Sequence, residues 1–151
     1  MPVGRPTEAS LPIQALALDR LLPGGRTRLG PGSLTWLGIV QPGQNCGRYE
    51  LRLQARPATP PKIFVTAPAL RPDADGLLPH VYDDGSLCVS QRGDWRPNML
   101  FVDTFLPWSC EWLVYYELWL ATGVWYGDGP DMLDAESQER ILHPYGCSSG
   151  T

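Results

Sequence analysis

"LPHVYDDGSLCVS", residues 78–90, gathers one of the chain's two histidines, one of its four cysteines, two aspartates and a glycine into one short run. Asp84-Gly85 is a strong turn signal, and "SLCVS" after it is a brief apolar fragment with strand character. On chemistry alone two readings of Cys88 stand side by side. It is a small core hydrophobe, since free cysteines are among the most buried residues, or it is a thiol displayed beside the turn for reaction. Asp83, Asp84 and Asp94 are close in sequence, and their charge disfavours a thiolate. A thiol at its ordinary pKa of about 8.5 is only a few per cent ionised at neutral pH. Cys88 therefore suits exchange with an already activated acyl group, not attack on an unactivated amide.

Upstream of this run the sequence reads as a helix followed by strands. "SLPIQALALDRLLPGG" is a short helix, with Ser10 as its cap, Pro12 in the first turn and Pro23-Gly24-Gly25 as its stop. Three strand-like segments follow: "SLTWLGIV" (33–40), "GRYELRLQA" (47–55) and "KIFVTAP" (62–68). The middle one alternates cleanly, with Tyr49, Leu51 and Leu53 on one face and Glu50, Arg52 and Gln54 on the other. The first does not, because Trp36, Leu37, Ile39 and Val40 break the period of two. "QPGQNCG" and "RPATPP" supply turns, so the spacing predicts an antiparallel meander.

Downstream, residues 69–98 form an irregular stretch rich in Pro, Asp and Gly, of a length that usually accompanies function. "FLPWSCEWLVYYELWLATG" (105–123) is a second helix, with Pro107 in its first turn and Gly123 at its end. Trp108, Trp112, Tyr115, Tyr116 and Trp119 recur on it at helical spacing, and Glu111 and Glu117 are its only charges between 106 and 122. Such a helix must be buried against the sheet, a partner, or both. Residues 1–9 and about 127–151 read as loosely ordered tails of one domain spanning 1–151, the latter with room for one short helix. The order of elements makes the chain α+β, with helices covering one face of a sheet.

Composition closes off several classes. Twelve basic against 16 acidic side chains give a net charge of -4 with no basic run, so the electrostatic footprint of nucleic-acid binding is missing. No apolar run approaches the length of a membrane span, and the N-terminus has no secretory apolar core. Cys46, Cys88, Cys110 and Cys147 are irregularly spaced without a CxxC pair, so they are expected to be thiols of a reduced cytoplasmic protein. No cofactor or metal is expected. A zinc site would need Cys88 and His80 with Cys110 or His143, and nothing in the spacing recommends it. A cysteine hydrolase would pair Cys88 with His143 as base, but its nucleophile usually opens a helix, whereas Cys88 follows a turn.

Taken together, these residues resemble a known family. "LPHVYDDGSLCV" is similar to the active-site signature of ubiquitin-conjugating enzymes, His-Pro-Asn-Ile-Tyr-x-x-Gly-x-Ile-Cys-Leu. Without gaps, Pro79, Tyr82, Gly85 and Cys88 coincide, and Val81, Leu87 and Val89 fall at aliphatic positions. "TPPKIFVTAP" (59–68) resembles the family's Pro-Pro-Lys-Val-x-Phe segment, and "DWRP" (94–97) its Trp-x-Pro, one residue closer to the cysteine. The family's histidine is replaced by Leu78 and its asparagine by His80. The apolar helix and the missing two-helix C-terminus look like the prokaryotic branch found in CBASS antiphage operons with cGAS/DncV-like nucleotidyltransferases, in the short type without an activating enzyme.

The resemblance implies a ubiquitin-conjugating-like fold and a two-step reaction. Cys88 would carry a protein C-terminus, that of a cGAS/DncV-like nucleotidyltransferase, as a thioester, and an amine would then attack it. His80 would stand in for the asparagine as oxyanion donor, and Asp83, Asp84 or Asp94 would orient or deprotonate the amine. The chain's own end, "CSSGT", has no di-glycine, which fits the conjugator and not the conjugated protein. The rival reading is a non-catalytic binding module on the same fold, although members of that kind generally lack the cysteine.

Overall fold

The computed structural model describes residues 8–90 and 93–127, together with the backbone of 148–149. Helix α1 spans Leu11–Leu21, with Ser10 Oγ accepting from the Ile13 amide and Pro12 in its first turn. Leu11, Gln14, Ala15 and Leu18 make its buried stripe, which is the i, i+3, i+4, i+7 spacing of an amphipathic helix. Gln14 is the polar member, and both ends of its amide are used. Its Nε2 donates to the Met99 carbonyl and its Oε1 accepts from the Phe101 amide, each at 2.9 Å. A buried amide with both ends satisfied fixes α1 against the chain leading to the second helix.

Four strands form an antiparallel meander: β1 (Arg26–Gly30), β2 (Ser33–Gln41), β3 (Tyr49–Ala55) and β4 (Lys62–Ala67). The sequence anticipates β2, β3 and β4 but not β1. "RTRLG" has no apolar alternation because it is an outer strand, half in water, and charges there are a normal guard against further pairing. Pro31-Gly32, which joins Gly30 to its partner Ser33 with Gly32 at φ 65, was the available signal for it. The broken pattern of β2 also has a cause. Leu34, Trp36, Gly38 and Val40 all face inward, so the strand does alternate. The Trp36 indole lies across Gly25 and Gly38, where a Cβ would overlap the ring, so a glycine occupies the inward slot that an apolar residue would otherwise fill.

Helix α2, Phe105–Thr122, ends at Gly123 in the left-handed region (φ 75), whose amide donates to the Trp119 carbonyl. A short 3-10 turn at Phe101–Asp103 leads into it. From Phe105 to Tyr116 it is buried almost all round, in one core with α1 and the sheet. The tryptophan and tyrosine row is thus chiefly core: Trp112 stacks on Tyr116 (5.4 Å), which leans on Trp119 (6.3 Å). Glu117 is tied to the sheet, its Oε2 accepting from the Tyr49 hydroxyl (2.8 Å) and the Gly47 amide (2.9 Å). Burial and this carboxylate push the Tyr49 pKa up.

The fold is therefore α+β, as the order of elements predicts: helix, meander, long loop and an apolar helix on the sheet. A two-residue strand, β5 (Ser148–Ser149), pairs with the end of β2. Among the described residues no helix is long and apolar enough to cross a membrane. The expected tails fall largely outside the described residues, as do His143 and Cys147. One expectation is corrected. Cys110, buried on α2, is disulfide-bonded, so the four cysteines are not all thiols. A pairing of this kind depends on Cα atoms brought within several ångströms, which sequence spacing does not report.

Candidate active site

The long loop carries the site in a small hairpin. Val81 and Leu87 form an isolated antiparallel bridge. Around it the Tyr82 amide donates to the Ser86 carbonyl (2.8 Å) and the Cys88 amide to the His80 carbonyl (2.9 Å). The tip is the turn Tyr82–Gly85, closed by the Gly85 amide on the Tyr82 carbonyl, with Gly85 at φ 89, a conformation that suits glycine. The Leu87 amide donates to the Ile63 carbonyl, which stitches the hairpin to β4.

The alternation in "SLCVS" sets how far Cys88 is buried. Leu87 and Val89 are buried in the core, and Cys88 between them is a half-buried free thiol. Interaction with the Cys88 sulfur first, then burial and the nearby charges, pushes the Tyr82 pKa up, which sets its hydroxyl beside the thiol. The pairing of 81 with 87 makes Tyr82 and Cys88 diagonal neighbours on one face, a separation that an aromatic side chain spans. Tyr82 is the residue that sequence reasoning missed as a functional group. Its signal was the symmetry of the run about Asp84-Gly85.

His80 sits at φ 51. That left-handed conformation is uncommon outside glycine but enriched in Asn, Asp and His, which accounts for a histidine where the resemblance has an asparagine. Its carbonyl accepts a second hydrogen bond from Trp112 Nε1 (3.1 Å), so α2 holds the base of the hairpin directly. Its ring stacks on Trp125 (5.1 Å, 26°), and Trp125 rests on Trp112 (5.5 Å) and Tyr115 (5.9 Å). The segment after α2 thus returns to pack against the histidine, which stays exposed.

The three aspartates fare differently. Asp83 is exposed at the hairpin tip. Asp84 has both oxygens engaged: Oδ2 accepts from Lys62 Nζ at 2.7 Å, and Oδ1 from the Ser86 amide (2.9 Å) and hydroxyl (2.6 Å). Lys62 first, then the Ser86 bonds, hold its carboxyl well below the usual carboxylate range. Such a group shapes the turn and is a weak base. Asp94 is half-buried in the following loop, beside Trp95, whose ring packs on Phe101 and Phe105. The hairpin thus gathers Cys88, His80, Asp83 and Asp84 in one unit, with Asp94 on a separate segment. A cleft of about 530 Å³ flanks it, lined by Pro60, Pro61, Lys62, Tyr82, Asp84 and Phe105 among others.

A family model described as the Type II CBASS E2 protein matches residues 14–132, from within α1 to beyond α2. The chain belongs to the type II CBASS E2 family. No curated protein matches it. The matched region of this CBASS E2 contains the meander, the Cys88 hairpin and the apolar helix, so the resemblance read from residues 59–97 extends over most of the chain. It is a CBASS-associated, E2-like protein, and its partnerships are with components of that system.

Proposed function

We propose that this CBASS E2 is a cysteine acyltransferase that carries a protein C-terminus as a thioester on Cys88 and passes it to an amine. The observation that carries this reading is the thiol itself: free, and half-buried between two core-facing neighbours on the face it shares with Tyr82. In the first step Cys88 Sγ attacks an acyl carbon already activated on another group; a C–S bond forms and the activating group leaves. In the second, a neutral amine attacks the thioester carbon, a C–N bond forms, the C–S bond breaks with its electron pair on sulfur, and the proton lost from nitrogen passes through solvent to the released thiolate.

Tyr82 acts on that leaving sulfur, since a hydroxyl donating to an emerging thiolate makes a charge-assisted hydrogen bond. His80, whose ring stacks on Trp125, donates to the oxyanion in this reading. Asp83 or Asp94 orients the incoming amine in this reading, because Asp84 is committed to Lys62 and Ser86. The carrier we propose is the C-terminal tail of a cGAS/DncV-like nucleotidyltransferase, acting in the cytoplasm.

Co-expression with the neighbouring operon proteins, followed by intact-mass analysis with and without reductant, tests the reading. Wild type should carry a thiol-sensitive adduct that Cys88→Ala lacks and Cys88→Ser retains in reductant-resistant form. An unreactive Cys88 with no adduct under any condition would leave a binding module.

A further inference from the structure

Lys62 is the only lysine in the sequence; the other 11 basic residues are arginine. The distinction matters for a protein that holds a thioester. A lysine amine that loses its proton is a competent nucleophile, whereas a guanidinium stays protonated and is not. Arginine gives the surface its positive charge without supplying acceptors. The one remaining side-chain amine stands on the strand that carries the thiol's hairpin. Lys62 opens β4, the strand to which the Cys88 hairpin is bonded through Leu87 and Ile63, and tethering of this kind strongly favours intramolecular attack.

The structure gives that amine an occupation. Its Nζ lies 2.7 Å from Asp84 Oδ2, and Asp84 cannot swing away freely because Oδ1 is fixed by the Ser86 amide and hydroxyl. While it donates to the carboxylate as an ammonium, Lys62 has no lone pair with which to attack an acyl carbon. We propose that the Lys62–Asp84 pair, in a chain otherwise free of lysine, is a self-protection device that reserves the Cys88-bound acyl group for an amine on another molecule. This inference rests on the thioester reading of Cys88. It makes Asp84 a positioning residue, acting on Lys62 and not on the incoming amine.

The test loads Cys88 by thioester exchange from a fluorescent peptide mercaptoethanesulfonate thioester, removes the excess, and follows the protein without added amine. Wild type should lose the peptide by hydrolysis alone. Asp84→Asn, which retains an oxygen for the Ser86 bonds, should accumulate a reductant-resistant adduct mapped to Lys62, and Asp84→Asn with Lys62→Arg should not. Equal Lys62 adducts in wild type and Asp84→Asn would overturn the proposal by making Lys62 an acceptor. No adduct in either would overturn it by making the pair irrelevant.

A second arm needs no thioester. Acetylation of Lys62 by an N-hydroxysuccinimide ester should be about two- to fivefold faster in Asp84→Asn, the range an exposed ion pair supports, and an unchanged rate would remove the clasp. Failure of Cys88 to load, with the acetylation difference intact, would sink the thioester reading and with it the protective purpose, while leaving the clasp as a structural fact.

Discussion

At its base the Cys88 hairpin leans on the core: the Trp112 indole donates to the His80 carbonyl, and Trp125 stacks on the His80 ring while resting on Trp112 and Tyr115. At its tip the hold is polar and wet. One ion pair, with Lys62 60% and Asp84 39% exposed, joins the turn to β4. The base is built to stay in place, since a buried tryptophan is stabilised by area and packing that solvent does not compete for. The tip is built to be adjustable, because an exposed pair contributes little and is screened by salt. Cys88 and Tyr82 sit between the two, on a frame fixed at one end and trimmed at the other.

The harshest way to break this contrast is Trp112→Ala. It should destabilise the protein by about 3–5 kcal/mol, measured by denaturant unfolding, and should release amide exchange protection at Cys88. Retention of both would mean that α2 does not hold the hairpin. Next comes His80→Val, which forces a β-branched residue into the left-handed region at a cost of about 1–2 kcal/mol, whereas His80→Asn should unfold close to wild type. Equal stability of the two variants would show that the backbone there can relax.

Tyr82→Phe separates chemistry from scaffold. Loss of a hydrogen bond to a charged acceptor should slow aminolysis of the loaded thioester by about tenfold or more, while this exposed position changes stability by less than about 0.5 kcal/mol. A rate within twofold of wild type would remove Tyr82 from the mechanism. Smaller still, Lys62→Met should shift stability by less than about 1 kcal/mol, and the shift should shrink in high salt.

The pH dependence of the tip sharpens the same contrast. Asp84 has a folded-state pKa below its ordinary value of 3.8. A depressed carboxyl stabilises the fold above that ordinary value, and the contribution is lost only as pH falls through the folded pKa. The ion pair should therefore be unchanged across the neutral range and into mild acid. A carbon-detected titration of the Asp84 carboxyl with a midpoint at or above the ordinary value would contradict the clasp.

Part of this protein is encoded by runs of a few neighbouring residues. Ser10, Pro12 and Pro23 bound α1, Pro107 and Gly123 bound α2, the period of two marked β3, and Asp84-Gly85 announced the turn that displays Cys88. Caps, turns and periodicity are local physics, so they are legible without the fold. The tertiary structure alone decided the rest. It made a charged strand of β1, laid the Trp36 indole over two glycines, disulfide-bonded Cys110, set the Tyr82 hydroxyl beside the Cys88 sulfur, and brought Lys62 to an aspartate 22 residues away and Trp112 to a carbonyl 32 residues away. Such contacts depend on where distant segments meet, and no pattern within a single segment carries that information.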